Sequence, residues 1–222
     1  MKFLHPKRGL EAMADIGVIP CYGGAMIHDC WASYFSYDHC GHRLCGAHLL
    51  RELTFIADAD ADGYAWARNL KRLLQQTCAV VSRRKRKKLN GREYAKLPKL
   101  YRNILTRGDK ELPPIPPRQN GKRGRIAKSD AHKLWERLSD HESAVLLFAK
   151  ESHVAFTNNR AERELRMSKV KRKVSGCFRN RAYAQAYCRI SSYLQTMANR
   201  GYNPLIAIQL ALSGQLYAET GE

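Results

Sequence analysis

The sequence predicts an α/β chain that is mostly helical, with its few strands near the start. Three observations predict this. Apolar residues recur at helical spacing from about residue 64 to 150, and again over 181–199. Strand-like apolar runs are confined to Ala25-Met26-Ile27 and Arg43-Leu44-Cys45. Hydrophobic residues make up 44% of the 222, enough to build a real core rather than a disordered chain.

Taken in order, Arg8 to Ile16 reads as a short helix stopped by Gly17 and Pro20. Gly23 and Gly24 open the run Ala25-Met26-Ile27, which ends at His28-Asp29 as a buried strand with an acid at its C-terminal end. Trp31 to Tyr37 is expected to form a short aromatic helix, Arg43 to Cys45 a second short strand, and Ala47 to Ala57 a helix. Trp66, Leu70, Leu73, Leu74 and Thr77 repeat at helical spacing, and that helix is expected to run on into the basic stretch Arg83 to Lys88 as a rigid arm. Leu97, Leu100, Tyr101, Ile104 and Leu105 mark another helix. Pro113, Pro114, Pro116, Pro117 and the basic segment Gln119 to Arg125 make the best linker. Ser129 caps a helix through Leu134 and Leu138, and a further helix carries Val145, Leu146 and Phe148. Over 181–199, Ala186, Tyr187, Ile190, Tyr193, Leu194 and Met197 share one face; Gly201 stops that helix, and Asn203-Pro204 starts the next. The resulting division is 1–57, 58–150 and 151–222.

Lys and Arg number 39 against 20 Asp and Glu, a formal charge of +19. Such a chain repels itself unless it meets a polyanion, and nucleic acid is the usual one. No apolar run is long enough to span a bilayer, and the N-terminus lacks the apolar segment of a signal peptide. Seven cysteines, an odd count scattered over helical sequence, point to reduced thiols in a cytoplasm-type compartment.

Four constellations bear on chemistry. Asp29 at the end of a strand faces the rim where α/β proteins build sites, or simply caps the next helix. In Asn158-Asn159-Arg160-Ala161-Glu162-Arg163-Glu164-Leu165-Arg166, Asn159 and Glu162 approximate a capping box. On a continued helix, Glu162, Arg166, Lys169 and Lys173 share one face. One acid among cations suits a metal-bound carboxylate against a phosphate backbone, or an ordinary surface of ion pairs. Cys40, His42, Cys45 and His48 crowd four ligand types together without a distant second pair. Packing and hydrogen bonding of Cys45 and His48 is therefore expected, with no zinc. Asp58 to Gly63 matches the opening of a calcium loop, but Asn69 stands where the bidentate Glu is needed, so Asp62 is read as a helix cap instead.

These pieces, in order and spacing, resemble the insertion-sequence-66 transposases. The resemblance rests on His5-Pro6-Lys7-Arg8-Gly9, His28-Asp29-Cys30-Trp31-Ala32-Ser33-Tyr34 and Leu44 to Leu53. It rests most specifically on Asn158-Asn159-Arg160-Ala161-Glu162-Arg163 beside Lys173-Val174-Ser175-Gly176-Cys177-Phe178-Arg179. It implies a partial ribonuclease-H-like core from 1–57 and 151–222, with C-terminal helices and a large helical insertion over 58–150.

The resemblance further implies DNA strand cleavage and transfer by phosphoryl transfer with Mg2+. Asp29 matches the second catalytic and metal-binding acid and Glu162 the third, and the two are expected to converge. Cys45 and His48 match a Cys-x-x-His motif that shapes the site. Arg160, Arg163, Arg166, Lys169, Lys171, Arg172 and Lys173 are the expected DNA contacts. The first acid is expected upstream of His5, beyond this chain. That would leave the chain able to bind DNA but inactive alone, the alternative being a non-catalytic DNA-binding remnant. The implied partners are transposon ends and target DNA, accessory proteins of the same mobile element, and further copies of the chain, at a bacterial nucleoid rather than a membrane.

Overall fold

The computed structural model describes residues 1–60, 63–116, 126, 128–176 and 178–215. Its chain divides into two compact units, Tyr22–Asn158 and Met1–Cys21 with Asn159–Glu222. Among the described residues it is mostly helical, with one small parallel sheet. No described helix is long and apolar enough to cross a membrane.

The first unit begins with strand β1, Ala25–His28, and strand β2, Gly41–Leu44, paired in parallel from Ala25 opposite Gly41 to His28 opposite Leu44. Parallel strands cannot be joined by a tight hairpin. The connection here carries a 3₁₀ helix over Ala32–Ser36, a tighter and shorter element than the expected aromatic helix. Helix α2, Gly46–Ala59, leaves directly from β2. Next come α3, Ala65–Arg83; α4, Gly91–Asp109; α5, Asp130–Asp140; and α6, Glu142–Lys150.

The apolar periodicity builds one core. Leu53, Leu70, Leu74, Tyr101, Leu138, Val145 and Ala149 are completely buried in it, each large side chain contributing about 1.5–3 kcal/mol over exposure. Two of the aromatics satisfy their polar ends within the core, whereas the Trp66 indole nitrogen is buried without a hydrogen-bond partner among the described residues. The Tyr101 hydroxyl donates to the Leu138 carbonyl at 2.8 Å, and the Trp135 indole to the Leu105 carbonyl at 2.9 Å. Gly108 lets α4 approach Trp66, because an added Cβ would lie 2.5 Å from the indole.

Side-chain caps fix several of the helix starts. Asn90 and Glu93 form a full capping box on α4, and the Ser129 side chain accepts from the His132 amide at α5, as expected. The start of α3 is capped from elsewhere in the unit, by Glu111 accepting from the Trp66 amide at 2.9 Å. The cap expected of Asp62 and the basic part of the linker, Gln119 to Arg125, lie outside the described residues.

Helix α3 is shorter than expected. The basic stretch does not prolong α3, which ends at Arg83, with Arg84 extended and Lys87 left-handed at φ 49°. Six consecutive cations would repel one another along a helix. The chain turns instead, and Arg84 pairs with Glu93.

The other unit holds α1, Leu10–Ile16, closed by left-handed Gly17; α7, Asn159–Ser175; α8, Arg181–Asn199; and α9, Pro204–Leu212. Asn203 caps α9 and Pro204 opens it, as the sequence indicates. Helix α7 starts at Asn159 itself, one residue before the expected cap would allow. The face expected on α8 is only partly covered. Met197 is buried, but Ala186 is exposed and Ile190 is 59% exposed. The short α9 meets the C-terminal part of α8, where Tyr193 donates to the Ala207 carbonyl at 2.8 Å, and leaves the N-terminal part open.

Candidate active site

A parallel register puts the C-terminal ends of both strands at one edge, where α/β proteins place their sites. Here His28 lies opposite Leu44, so Asp29 and Cys45 leave the sheet side by side. The Cys45 amide donates to the His28 carbonyl at 2.8 Å and closes the pair. Asp29 is exposed, and its Oδ1 accepts from the Trp31 amide at 3.3 Å in a local turn. Cys30 stands between them at φ 72°, a conformation that costs a side-chain-bearing residue energy. The twist turns the Cys30 side chain into the core, where burial first of all pushes its thiol up to about 11. Cys30 is thus a neutral thiol at neutral pH and not a nucleophile.

Beneath Asp29 runs a chain of histidines. Burial, then the neighbouring His42, pushes buried His28 down to about 4, so it is neutral at pH 7. Its Nδ1 accepts from the Cys30 amide at 3.2 Å. The proton must then sit on Nε2, which donates to His42 Nδ1 at 3.2 Å; His42 Nε2 donates in turn to the Tyr37 carbonyl at 3.1 Å. Phe35 stacks on His141 with ring centres 4.3 Å apart, and burial lowers the pKa of His141 as well.

The Cys45 side grips the end of this unit. Arg43 has no exposed surface. It donates to the carbonyls of Leu44, of Ala144 at 3.2 Å and of Phe156 at 3.5 Å. Its guanidinium lies 4.7 Å from the Phe148 ring centre and 5.4 Å from that of Phe156. Burial lowers its pKa to about 9, which still leaves it charged at neutral pH. The Gly46 amide donates to the Phe156 carbonyl at 2.8 Å, and a Cβ on Gly46 would stand 2.3 Å from the Phe156 ring. The Cys45 thiol donates to Asn158 Oδ1 at 2.9 Å, and the Asn158 amide returns to the sulfur at 3.5 Å. Half-buried His48 has a ring nitrogen within 4.8 Å of that sulfur.

In the other unit, α7 carries Arg160, Glu162, Arg163, Arg166, Lys169, Lys171, Arg172 and Lys173. The helix runs far enough to put Glu162, Arg166, Lys169 and Lys173 on one face. No residue of α7 is buried; Glu162 is half-exposed and the basic side chains are open. Arg160 pairs loosely with Glu164 at 3.7 Å. The Lys171 ammonium lies over the rings of Phe178 and Tyr187, at 5.5 and 5.4 Å.

The sequence model of the transposase IS66 family matches residues 2–186. The chain belongs to that family. No curated protein and no solved structure matches it. The work of IS66 transposases is DNA transposition, and the match spans the strand end bearing Asp29, the Cys45 grip and the whole of α7.

Within this IS66 chain three of the four crowded zinc-type ligands take different partners, while His48 stays beside Cys45. Cys40 Sγ donates to the Tyr22 carbonyl at 2.8 Å, His42 joins the histidine chain, and Cys45 holds Asn158. At the calcium-like segment, Asp60 Oδ1 accepts from the Gly63 amide at 2.9 Å, a local turn. Sequence reading missed Arg43, Gly46, His28 and Phe156. The available signal was an arginine in a strand otherwise destined for burial, followed closely by a glycine opening a helix.

Proposed function

We propose that this IS66 chain carries part of a DDE-type catalytic centre, with Asp29 and Glu162 as two of its metal-binding carboxylates and α7 as its DNA-facing helix. The observation that carries the reading is the placing of Asp29. It is an exposed carboxylate at the C-terminal edge of a parallel pair, on a strained turn, within the span matched by a transposase family. Its donor set also fits. Magnesium takes oxygen ligands, and both acids offer only carboxylate oxygens at exposed or half-exposed positions. The chemistry a bound magnesium supplies is activation of the attacking oxygen and stabilisation of the leaving oxygen in phosphoryl transfer.

The residues of the chain do the rest. Arg160, Arg163, Arg166, Lys169, Arg172 and Lys173 neutralise the DNA backbone, and Lys171 stiffens the end of α7 against its aromatic partners. Cys45 and His48 shape the strand edge. Glu11 and Asp15 are engaged by Lys7 and His5 in surface pairs, so we assign neither as the first acid. In this reading 1–57 and 151–222 belong to a ribonuclease-H-like core interrupted by the helices of 58–150. The chain works on the bacterial nucleoid with transposon ends, target DNA, further copies of itself and accessory proteins of the element.

The test is duplex binding across salt concentrations. Binding should weaken with a log–log slope of about −0.9 per neutralised phosphate. Replacing Arg163, Arg166 and Lys169 together by Gln should flatten that slope, while Glu162→Gln should leave binding intact or tighter. Absence of duplex binding at low salt would remove the reading.

A further inference from the structure

We propose that the groove between the α3–α4 turn and the end of α6 is a second duplex-DNA contact, which takes phosphodiester backbone and reads no bases. The proposal rests on the reading of this chain as a DNA-binding protein, and it concerns a surface separate from α7. The groove encloses about 650 Å3 and is lined by Lys85, Arg86, Lys88 and Lys150, with Tyr94 and the first residues of α4. Among the described residues, no carboxylate lines it.

The turn that carries these cations is fastened, which distinguishes it from an ordinary solvated charge run. Arg84 is held by both oxygens of Glu93, and Glu93 is itself held by the Asn90 amide at 3.0 Å. Lys87 takes the left-handed conformation, with its amide on the Arg84 carbonyl at 3.2 Å and its ammonium on the Ser82 carbonyl at 2.5 Å. The Leu89 amide donates to the Ala149 carbonyl at 2.9 Å and pins the turn beside Lys150. Arg84 and Lys87 thus spend their donors on the fold. Lys85 and Arg86 line the groove with Lys88, and none of the three has an acidic partner among the described residues. Four like charges gathered on a fixed backbone repel one another, and a polyanion relieves that repulsion. Three of the four cations are lysines, point charges without the fork geometry that reads a base edge, and the Arg86 fork fits a phosphate bidentately, so the contact positions DNA without specifying sequence.

The experiment uses the full chain with a mixed-sequence duplex, under two measurements. In lysine acetylation footprinting, Lys85, Lys88 and Lys150 should be protected by DNA, while Lys110, at the far end of α4, should not. In salt titrations, the variant Lys85→Gln/Arg86→Gln/Lys88→Gln should lose roughly three phosphates' worth of slope, about 2.7. The α7 variant Arg163→Gln/Arg166→Gln/Lys169→Gln should lose its own share independently. Glutamine at these surface positions leaves the core untouched, and an unchanged melting curve confirms folding. An unchanged slope with unprotected lysines, while the α7 variant still weakens binding, overturns the groove and spares α7. Protection by RNA but not by duplex DNA also overturns it. Failure of the parent chain to bind any duplex removes the DNA reading as a whole.

Discussion

The Cys45 thiol donates to Asn158 Oδ1 at 2.9 Å, joining residues 113 apart in sequence. It links the end of β2 to the last residue before α7, the helix that carries Glu162. A conserving change should keep this link and a truncating one should break it. Cys45→Ala should lower stability by about 1 kcal/mol, the net value of one hydrogen bond, and Cys45→Ser, which keeps a donor, should lower it by less. Urea unfolding of the two variants checks the order. Equal losses would show that packing of the sulfur matters, and not its bond.

Gly46 is required by the closeness of Phe156. A methyl group there would stand 2.3 Å from the ring, so Gly46→Ala should cost about 1–3 kcal/mol through overpacking. Phe156→Leu, harmful by itself, should recover part of that loss in the double variant. A double-variant cycle with purely additive effects would contradict the contact.

Arg43 is a fully buried cation whose partners are backbone carbonyls and two aromatic faces. Arg43→Ala leaves those carbonyls without a donor and opens a cavity, and should cost about 2–5 kcal/mol. Chemical denaturation reads the loss directly. A change under about 0.5 kcal/mol, the usual size for a neutral surface site, would show that Arg43 does not bind the Phe156 segment.

His28 gives the unit an acid sensitivity. Its pKa falls from an ordinary value near 6.5 to about 4 on folding, chiefly through burial. The unfolded chain therefore takes up this proton first, and the neutral folded form is favoured fully above about pH 6.5. Stability from this group should fall as pH drops from about 6.5 to 4 and level off below. Thermal melts of the parent and of His28→Gln should diverge above pH 6.5 and approach one another near pH 4. Parallel curves through that window would contradict a buried neutral His28.

Much of this was legible in the sequence, for identifiable reasons. Ala25 to His28 is short, apolar and preceded by two glycines, so its strand could be read. Ser129, Gly17 and the Asn203-Pro204 pair are caps whose chemistry is local, and their helix boundaries follow from a few neighbouring residues. What could not be read depends on distant partners. Arg84 leaves the helix for Glu93, and Ile190 stays exposed because α9 is short. Arg43 is buried because Ala144 and Phe156 supply carbonyls from more than a hundred residues away. At the candidate site, the motif identified Asp29 and Cys45, but their adjacency comes from the parallel register. The histidine chain beneath them comes from pairing His28 with His42 across two strands.

Iron-directed backbone cleavage tests the proposal that Asp29 and Glu162 serve one divalent metal. Fe2+, a divalent ion that also accepts carboxylate oxygens, stands in for magnesium, and ascorbate with peroxide then cuts the chain beside the bound ion. Cuts are expected near Asp29 and near Glu162, suppressed by excess magnesium and both lost in Asp29→Asn as well as in Glu162→Gln. Cuts near one acid that survive removal of the other, or cleavage only elsewhere in the chain, would contradict that proposal.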